Sequence, residues 1–382
     1  MGRDCSLRRR VLLRSLCAGA GAWPDWLRAA DDGITADAIT ISRVIALEGP
    51  AGAKGREQEA ALRAYFEAIN AGGGIHGRRI ALQTANEDLR TEDALRRILA
   101  QQRPFALFLF GGTTGSSMAM AHASAGRIPF VAPNSGASVF HDPANRYVFN
   151  VRARYRDEVI AALRHFALVS QQRVALVHVD DAFGRDGAEG YREGVRQTAV
   201  TSVYEGSFAA AETDFSQQAR ALADARPHAV VCIGSSRRVA EFIAAARASG
   251  VSAVFMTLSN NSSAGFAREL GVHARGVIVS QVTPPPGNHS TAASRELRRL
   301  LAGRPEADVS YAAMEAYLSA KVLVEGLKRA GSALTREGFV QALESLRRHD
   351  LGGIEVGYGP GRRTGSAYVE LSMLTDDGRY RR

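Results

Sequence analysis

The sequence predicts an α/β protein of two doubly wound parallel-sheet lobes, and two stretches built to one plan carry that expectation. In each, an apolar strand runs into a turn of Gly, Ser and Thr and then an amphipathic helix: Phe105–Ser117 first, His228–Ser236 second. A parallel strand that ends in small hydroxyl residues just before a helix leaves backbone N–H groups and hydroxyls facing outward, where a polar or anionic small molecule is held. Two such ends predict a cleft between two lobes. Size agrees: 382 residues, 46% of them hydrophobic, supply two cores rather than one.

Residues 1–30 read as an export signal. They hold six Arg against two Asp, a short apolar stretch and small-residue cleavage options, and Arg9-Arg10-Val11-Leu12-Leu13-Arg14 resembles the twin-arginine type. Arg14 interrupts the apolar part, which is too short to span a membrane. Cys17 lacks the flanking residues of a lipid-anchor signal. Once the signal is cleaved, Cys232 is the single cysteine left, and its place in the apolar strand Val230–Ile233 predicts a buried, inert thiol.

The next elements follow in order. Ala38–Ile45 alternates as a strand, Gly49–Gly55 reads as a turn, and Glu57–Asn70 has helical spacing with Leu62, Tyr65, Phe66 and Ile69 on one side. Strand Arg79–Thr84, helix Thr91–Gln102, strand Phe105–Phe110, helix Ser116–Ala125 and strands Ile128–Val131 and Tyr147–Val151 complete a first parallel sheet. A second series runs through helix Asp157–Val169, strand Arg173–Val179, helix Glu189–Thr198, strand Ser202–Gly206, helix Asp214–Ala225, strand His228–Ile233, helix Arg238–Ser249 and strands Ala253–Leu258 and Gly276–Val282. Thr283-Pro-Pro-Pro-Gly287 then forces a stiff extended connection, because three prolines cannot sit inside a sheet.

Helices at Ser294–Leu301, Met314–Ala330 and Arg336–Leu346 need a sheet to cover, and the first lobe has fewer helices of its own. Three crossovers are therefore expected, near Val151–Arg154, Gln281–Pro286 and Leu351–Gly353. Lobe 1 is then 34–152 plus 284–350, and lobe 2 is 153–283 plus 351–382, with strand-like Gly353–Val356 and Tyr368–Leu374 last.

The formal charge of +9 is not a nucleic-acid signal. The leader accounts for +4 of it, and the remaining basic residues are scattered among acids, with no run interleaved with aromatics before Arg381-Arg382. Catalytic devices are missing as well: the chain has no G-x-S-x-G, no H-E-x-x-H, no paired Cys and no G-x-x-x-x-G-K-[ST]. His178 with Asp180 lies on a strand, His178 in its middle, and reads as core. No catalytic residue, metal or cofactor is expected.

In order, the leader, Ala46-Leu-Glu-Gly-Pro50, Asn70-Ala-Gly-Gly-Gly-Ile-His-Gly77, Ile128-Pro-Phe-Val-Ala-Pro133, Val179-Asp-Asp-Ala-Phe-Gly184 and Ala246-Arg-Ala-Ser-Gly250 resemble the periplasmic leucine/isoleucine/valine-binding protein family, the type I solute receptors of ABC importers. The resemblance covers roughly residues 38–375. It implies a ligand held between two lobes that close on it, a membrane permease as partner, and a periplasmic location. It also carries over a carboxylate pocket at Thr113, Thr114, Gly115 and Ser116 and in the loop Asn134, Ser135 and Gly136.

From lobe 2 the resemblance brings Phe183, Ser235, Ser236 and Ser259 over the solute. Lys54, one of only three lysines, stands in the first loop where such receptors often have Tyr, and is expected to pair with a ligand anion. After strand Ala253–Leu258 the family's amino-acid receptors place a carboxylate for the ligand ammonium. Here the residues are Ser259-Asn-Asn-Ser262, so a small carboxylate, amide or aromatic acid fits better than a branched-chain amino acid. A ligand sensor of the same fold, feeding a signalling partner, and an exported hydrolase are the alternatives.

Overall fold

The architecture comes from a computed structural model, which describes residues 33–49, 52–86, 92–287, 289–304 and 307–381. The leader of residues 1–30 lies outside the described residues. The first sheet holds β1 (Ala38–Ile45), β2 (Arg79–Asn86), β3 (Ala106–Phe108), β4 (Phe130–Val131) and β5 (Val148–Phe149), in the order β2-β1-β3-β4-β5, all parallel. Their helices are α1 (Gly52–Ala71), α2 (Glu92–Gln102) and α3 (Gly112–Gly126).

After a crossover at 150–154 come α4 (Tyr155–Leu168), β6 (Arg173–Val179), α5 (Ala182–Gln197), β7 (Thr201–Phe208), α6 (Ser216–Ala225), β8 (Ala229–Ile233), α7 (Ser236–Ala248), β9 (Val254–Thr257), α8 (Ala264–Leu270) and β10 (Ile278–Gln281). Beyond the prolines stand α9 (Ala292–Leu301), α10 (Tyr311–Ala330), α11 (Arg336–Glu344), the short pair β11 (His349–Asp350) and β12 (Glu355–Val356), and finally β13 (Glu370–Leu374) and β14 (Tyr380–Arg381). The second sheet runs β14-β13-β10-β9-β8-β6-β7; β13 lies antiparallel to β10, and β14 antiparallel to β13.

Both sheets are covered on two faces, so a strand such as Ala229-Val-Val-Cys-Ile233 is apolar throughout rather than alternating, and every residue of it is buried. Cys232 is the buried thiol expected, and burial pushes its titration up. α10 covers the first sheet together with α1, through Leu318, Leu323, Phe66 and Phe108. A second core around Val230, Phe242 and Phe255 belongs to the other sheet. A third spans both bodies, with Phe110, Phe130 and Phe140 from one and Leu163 and Leu176 from the other.

Four expectations change. The third passage between bodies lies after residue 365, not at 351–353: Leu351, Ile354, Val356 and Tyr358 sit in the core of the first body, and Gly365 N–H donates to the Asn150 carbonyl at 2.8 Å. Residues 351–365 therefore belong with lobe 1. Lys54 is not on a turn, because α1 begins at Gly52. There a Cβ on Gly55 would stand 2.1 Å from the Ala46 carbonyl oxygen, so the glycines serve close packing of the helix rather than a bend. α5 starts at Ala182 instead of Glu189, capped by Asp181, whose Oδ1 accepts from Gly184 N–H at 2.8 Å. α8 was not expected at all; Ser263 caps it by accepting from Phe266 N–H.

Candidate functional site

The ends of β3 and β4 lie side by side, bridged in parallel between Gly111 and Asn134, and this places the two hydroxyl-rich loops in contact. The Thr113 and Ser135 hydroxyls bond each other at 2.8 Å. Ser116 is fully buried and its hydroxyl donates back to the Phe110 carbonyl at 2.8 Å, holding the entry to α3. Gly115 is buried and Thr114 exposed. No side chain caps the start of α3 at Gly111, which leaves its first N–H groups without that partner.

Asn134 exchanges hydrogen bonds with Gln58 of α1 at 3.3 Å, and Gln58 in turn accepts from the buried Arg43 at 2.6 Å. Gly136 sits where its carbonyl accepts from Tyr155 N–H at 2.8 Å, and a Cβ there would stand 2.8 Å from that nitrogen. Tyr155 opens α4, so the first body is tied here to the second.

One turn before Gln58, Lys54 extends from α1 to Glu315 of α10 at 3.2 Å. Glu315 also receives Arg152 of the first crossover at 3.0 Å, and Arg152 reaches Glu158 of α4 at 2.5 Å. The same guanidinium donates to the Ser259 hydroxyl and lies 4.7 Å from the centre of the Tyr155 ring. Glu158 is saturated: Ser259 N–H at 2.9 Å, the Ser259 hydroxyl at 2.9 Å and the Ser280 hydroxyl at 2.5 Å all donate to it.

Burial alone would lower the Arg152 guanidinium, but Glu315, Tyr155 and Glu158 hold it above its ordinary value. Burial would raise Glu315, yet Lys54 and Arg152 keep it below the usual carboxylate range. Lys54 goes the other way, lowered by burial with Glu315 opposing and Arg152 adding to the shift.

A second interlobe contact is built by Glu57, also on α1. Its carboxylate accepts from Ala264 N–H at 3.3 Å and Gly265 N–H at 3.2 Å at the start of α8, and from the Ser310 hydroxyl at 2.6 Å. Burial raises it, these bonds opposing. Asp186 of α5 makes the reciprocal contact, accepting from Ser138 N–H at 2.9 Å. A cavity of about 260 Å³ on α4 and α5, lined by Arg156, Glu189, Arg192, Glu193 and Arg196, shares none of these residues.

The structure thus brings Lys54, Thr113, Asn134, Ser135, Gly136 and Ser259 into one connected set. Phe183 is half-buried in the first turn of α5, 4.7 Å from the Tyr155 ring, so it packs on its own lobe. Ser235 is exposed, and the Ser236 hydroxyl donates to Asn261 at 3.0 Å. Ser259, expected to face a solute, is buried and occupied by Glu158 and Arg152.

Sequence reasoning missed Arg152, Tyr155, Glu158 and Glu315. The signal was there for Glu315, a lone acid inside the apolar face of α10, since a charge at a core position calls for a partner. Glu158 supplies a carboxylate at the end of β9 that the sequence order gave no hint of. His178 and Asp180 do not form a pair: His178 Nδ1 lies 2.9 Å from the Val179 carbonyl, and Asp180 binds Arg185 at 2.8 Å. Among the described residues no group of three or more His, Cys, Asp or Glu is placed to hold a metal, and no helix is long and apolar enough to cross a membrane.

Comparison with known proteins agrees with this fold. A family model described as periplasmic binding protein matches residues 38–378. A Leu/Ile/Val-binding protein homolog 3 from Brucella melitensis is 24% identical over 313 residues, 80% of this chain and 83% of that protein. A substrate-binding periplasmic protein from Ralstonia solanacearum superposes with a TM-score of 0.81 at 28% identity, covering 90% of this chain and 99% of its own. A fatty acid ABC transporter substrate-binding protein from Thermomonospora curvata has the same fold, with a TM-score of 0.82 at 17% identity over 91% of this chain and 90% of its own.

Proposed function

This chain belongs to the periplasmic binding protein family, and from that membership we propose that it is an extracytoplasmic receptor that captures a small carboxylate- or amide-bearing solute between its two lobes and delivers it to an ABC permease. The observation that carries the reading is the meeting, at one waist, of the α3 start, the 134–136 loop, Lys54 and the Arg152 hub, with residues from both sheets bonded through it.

Capture works by population shift: contacts made only when the lobes meet favour the closed form by the free energy they add. Glu57 on α8 and Asp186 on Ser138 are contacts of that kind. The first hold on the solute falls to α3 and the loop at 134–136, where N–H groups at a helix start favour an anion. Nothing in the set is arranged as a nucleophile with a base, so the solute leaves unchanged.

The test is a thermal-shift screen of amino acids, aliphatic acids, aromatic acids and amides. A ligand that binds only the folded chain raises the melting temperature, by about 2.7 kcal/mol of stabilisation at a hundred times Kd. A rise with one class supports capture. A chain whose melting no class moves, or that converts the compound it binds, contradicts it.

A further inference from the structure

Two carboxylates cross from one lobe to the backbone of the other, in opposite directions. Glu57 of α1 is 5% exposed; its Oε1 accepts from Gly265 N–H at 3.2 Å, and its Oε2 from Ala264 N–H at 3.3 Å and the Ser310 hydroxyl at 2.6 Å. Asp186 of α5 reaches back, its Oδ1 accepting from Ser138 N–H at 2.9 Å, while its Oδ2 is buried without a hydrogen-bond partner. No cation among the described residues forms an ion pair with either. Glu158, by contrast, has Arg152 as its countercharge at 2.5 Å.

The groups around the two are occupied or of the wrong sign. Beside Glu57 stand Asp308, an exposed acid bound by Arg268 of α8 at 3.4 Å, and Tyr380 of β14, whose hydroxyl donates to the Asn261 and Ser263 carbonyls. Tyr311 of α10 packs edge-on against Tyr380. On α1 itself Lys54 is turned to Glu315, Arg56 to the Leu47 carbonyl and Glu59 to Arg43. Around Asp186, Arg156 of α4 is bound by Glu189 and Glu193, and Arg185 by Asp180. His141, the titratable group of segment 138–141, is pushed down to about 3 by burial, with Arg152 and Arg154 adding, and stays uncharged at neutral pH.

A carboxylate taken out of water with hydrogen-bond donors but no countercharge is held more readily neutral than ionised. Resting on the receptor reading above, we infer that lobe closure takes up protons at Glu57 and Asp186, so that acid drives the lobes together. A proton on Glu57 Oε2 turns the Ser310 bond round, and one on Asp186 Oδ2 occupies an atom that no donor meets. Burial pushes both carboxyls up in the closed chain; the Ser310 hydroxyl and Gly265 N–H oppose it at Glu57 while Asp308 adds, and Ser138 and Arg156 oppose it at Asp186 while Glu189 adds. With the lobes apart, both carboxyls face water and titrate in the ordinary range. Between the ordinary and the raised values the closed form binds more protons, so closure gains as pH falls and gains nothing further below 4.5 at Glu57 and 3.8 at Asp186.

Small-angle X-ray scattering of the full chain without solute, between about pH 7.5 and pH 4.5, tests this. The closed-to-open ratio is expected to rise about tenfold or more over that range, read as a falling radius of gyration. Net charge works the other way, since acid adds positive charge to a chain already positive and self-repulsion expands it. Glu57→Gln with Asp186→Asn keeps an acceptor for each N–H without a charge, and is expected to show the small radius at both ends of the range.

The comparison of the parent with itself needs no variant, so it stands even where the double variant fails to fold. A parent radius that does not fall on acidification overturns the inference and leaves solute capture, which the thermal screen decides, standing. A fall of the same size in the folded double variant also overturns it, because other groups then titrate with closure.

Discussion

Arg152 is the residue on which the waist turns, because one guanidinium answers two buried carboxylates that come from different bodies, Glu315 and Glu158. Removing it leaves the buried Glu158 without a cation and Glu315 with Lys54 alone, so Arg152→Leu is expected to destabilise the chain by about 3–5 kcal/mol in urea denaturation, far beyond the loss of a surface pair. Glu57 predicts a pH effect of definite sign. Its folded value is raised above 4.5, so its contribution to stability is full below that pH and is lost as pH rises through the raised value. Glu57→Gln keeps an acceptor for Gly265 N–H without the charge. Stability measured from pH 4 to 7 should therefore fall less steeply in that variant than in the parent; identical slopes would show that Glu57 does not titrate with folding. Residues of this kind were the hardest to read in advance. Lys54 and Ser259 drew notice from their places in the chain, but their partners lie at positions 152, 158 and 315, and no local pattern joins such distant segments.

At the level of elements, strands were legible because a parallel strand buried on both faces is a short apolar run between turn residues, as Arg173–Val179 and Ala229–Ile233 show. Helix starts were not, and glycine is the reason. Gly184 and Gly187 lie ahead of the helix start expected at Glu189, yet with Gly190 and Gly194 they line the buried side of α5 and let it approach its neighbours. A Cβ on Gly190 would stand 2.7 Å from the Arg156 Cα, whereas one on Gly187 would stand 2.5 Å from the Ile233 Cδ1, a side-chain end that can turn aside. Gly190→Ala should therefore cost more stability than Gly187→Ala, by about 1 kcal/mol or more. Equal melting temperatures would contradict the close approach of α4 and α5. Short α8 escaped notice because seven residues give too little periodicity to separate it from a loop.

For the whole molecule, two bodies share three passages of chain and one apolar core, and polar and close-packed contacts join them as well. Ala53 and Gly265 come so close that a Cβ on Gly265 would meet the Ala53 Cβ at 2.4 Å; Glu57 reaches α8, and Tyr311 meets Tyr380 edge-on at 5.4 Å. The two-body plan was readable from the repeated strand-turn-helix series and the triple proline. The third passage was misplaced because the pattern of residues 349–365 shows a strand without showing which body Leu351, Ile354 and Val356 pack into. If these contacts form as a solute is taken up, closure is a change of shape rather than of secondary structure. Small-angle X-ray scattering, with and without the solute that most raises the melting temperature, measures this directly. The account predicts a smaller radius of gyration in the saturated protein, and a radius unchanged at full occupancy would contradict it.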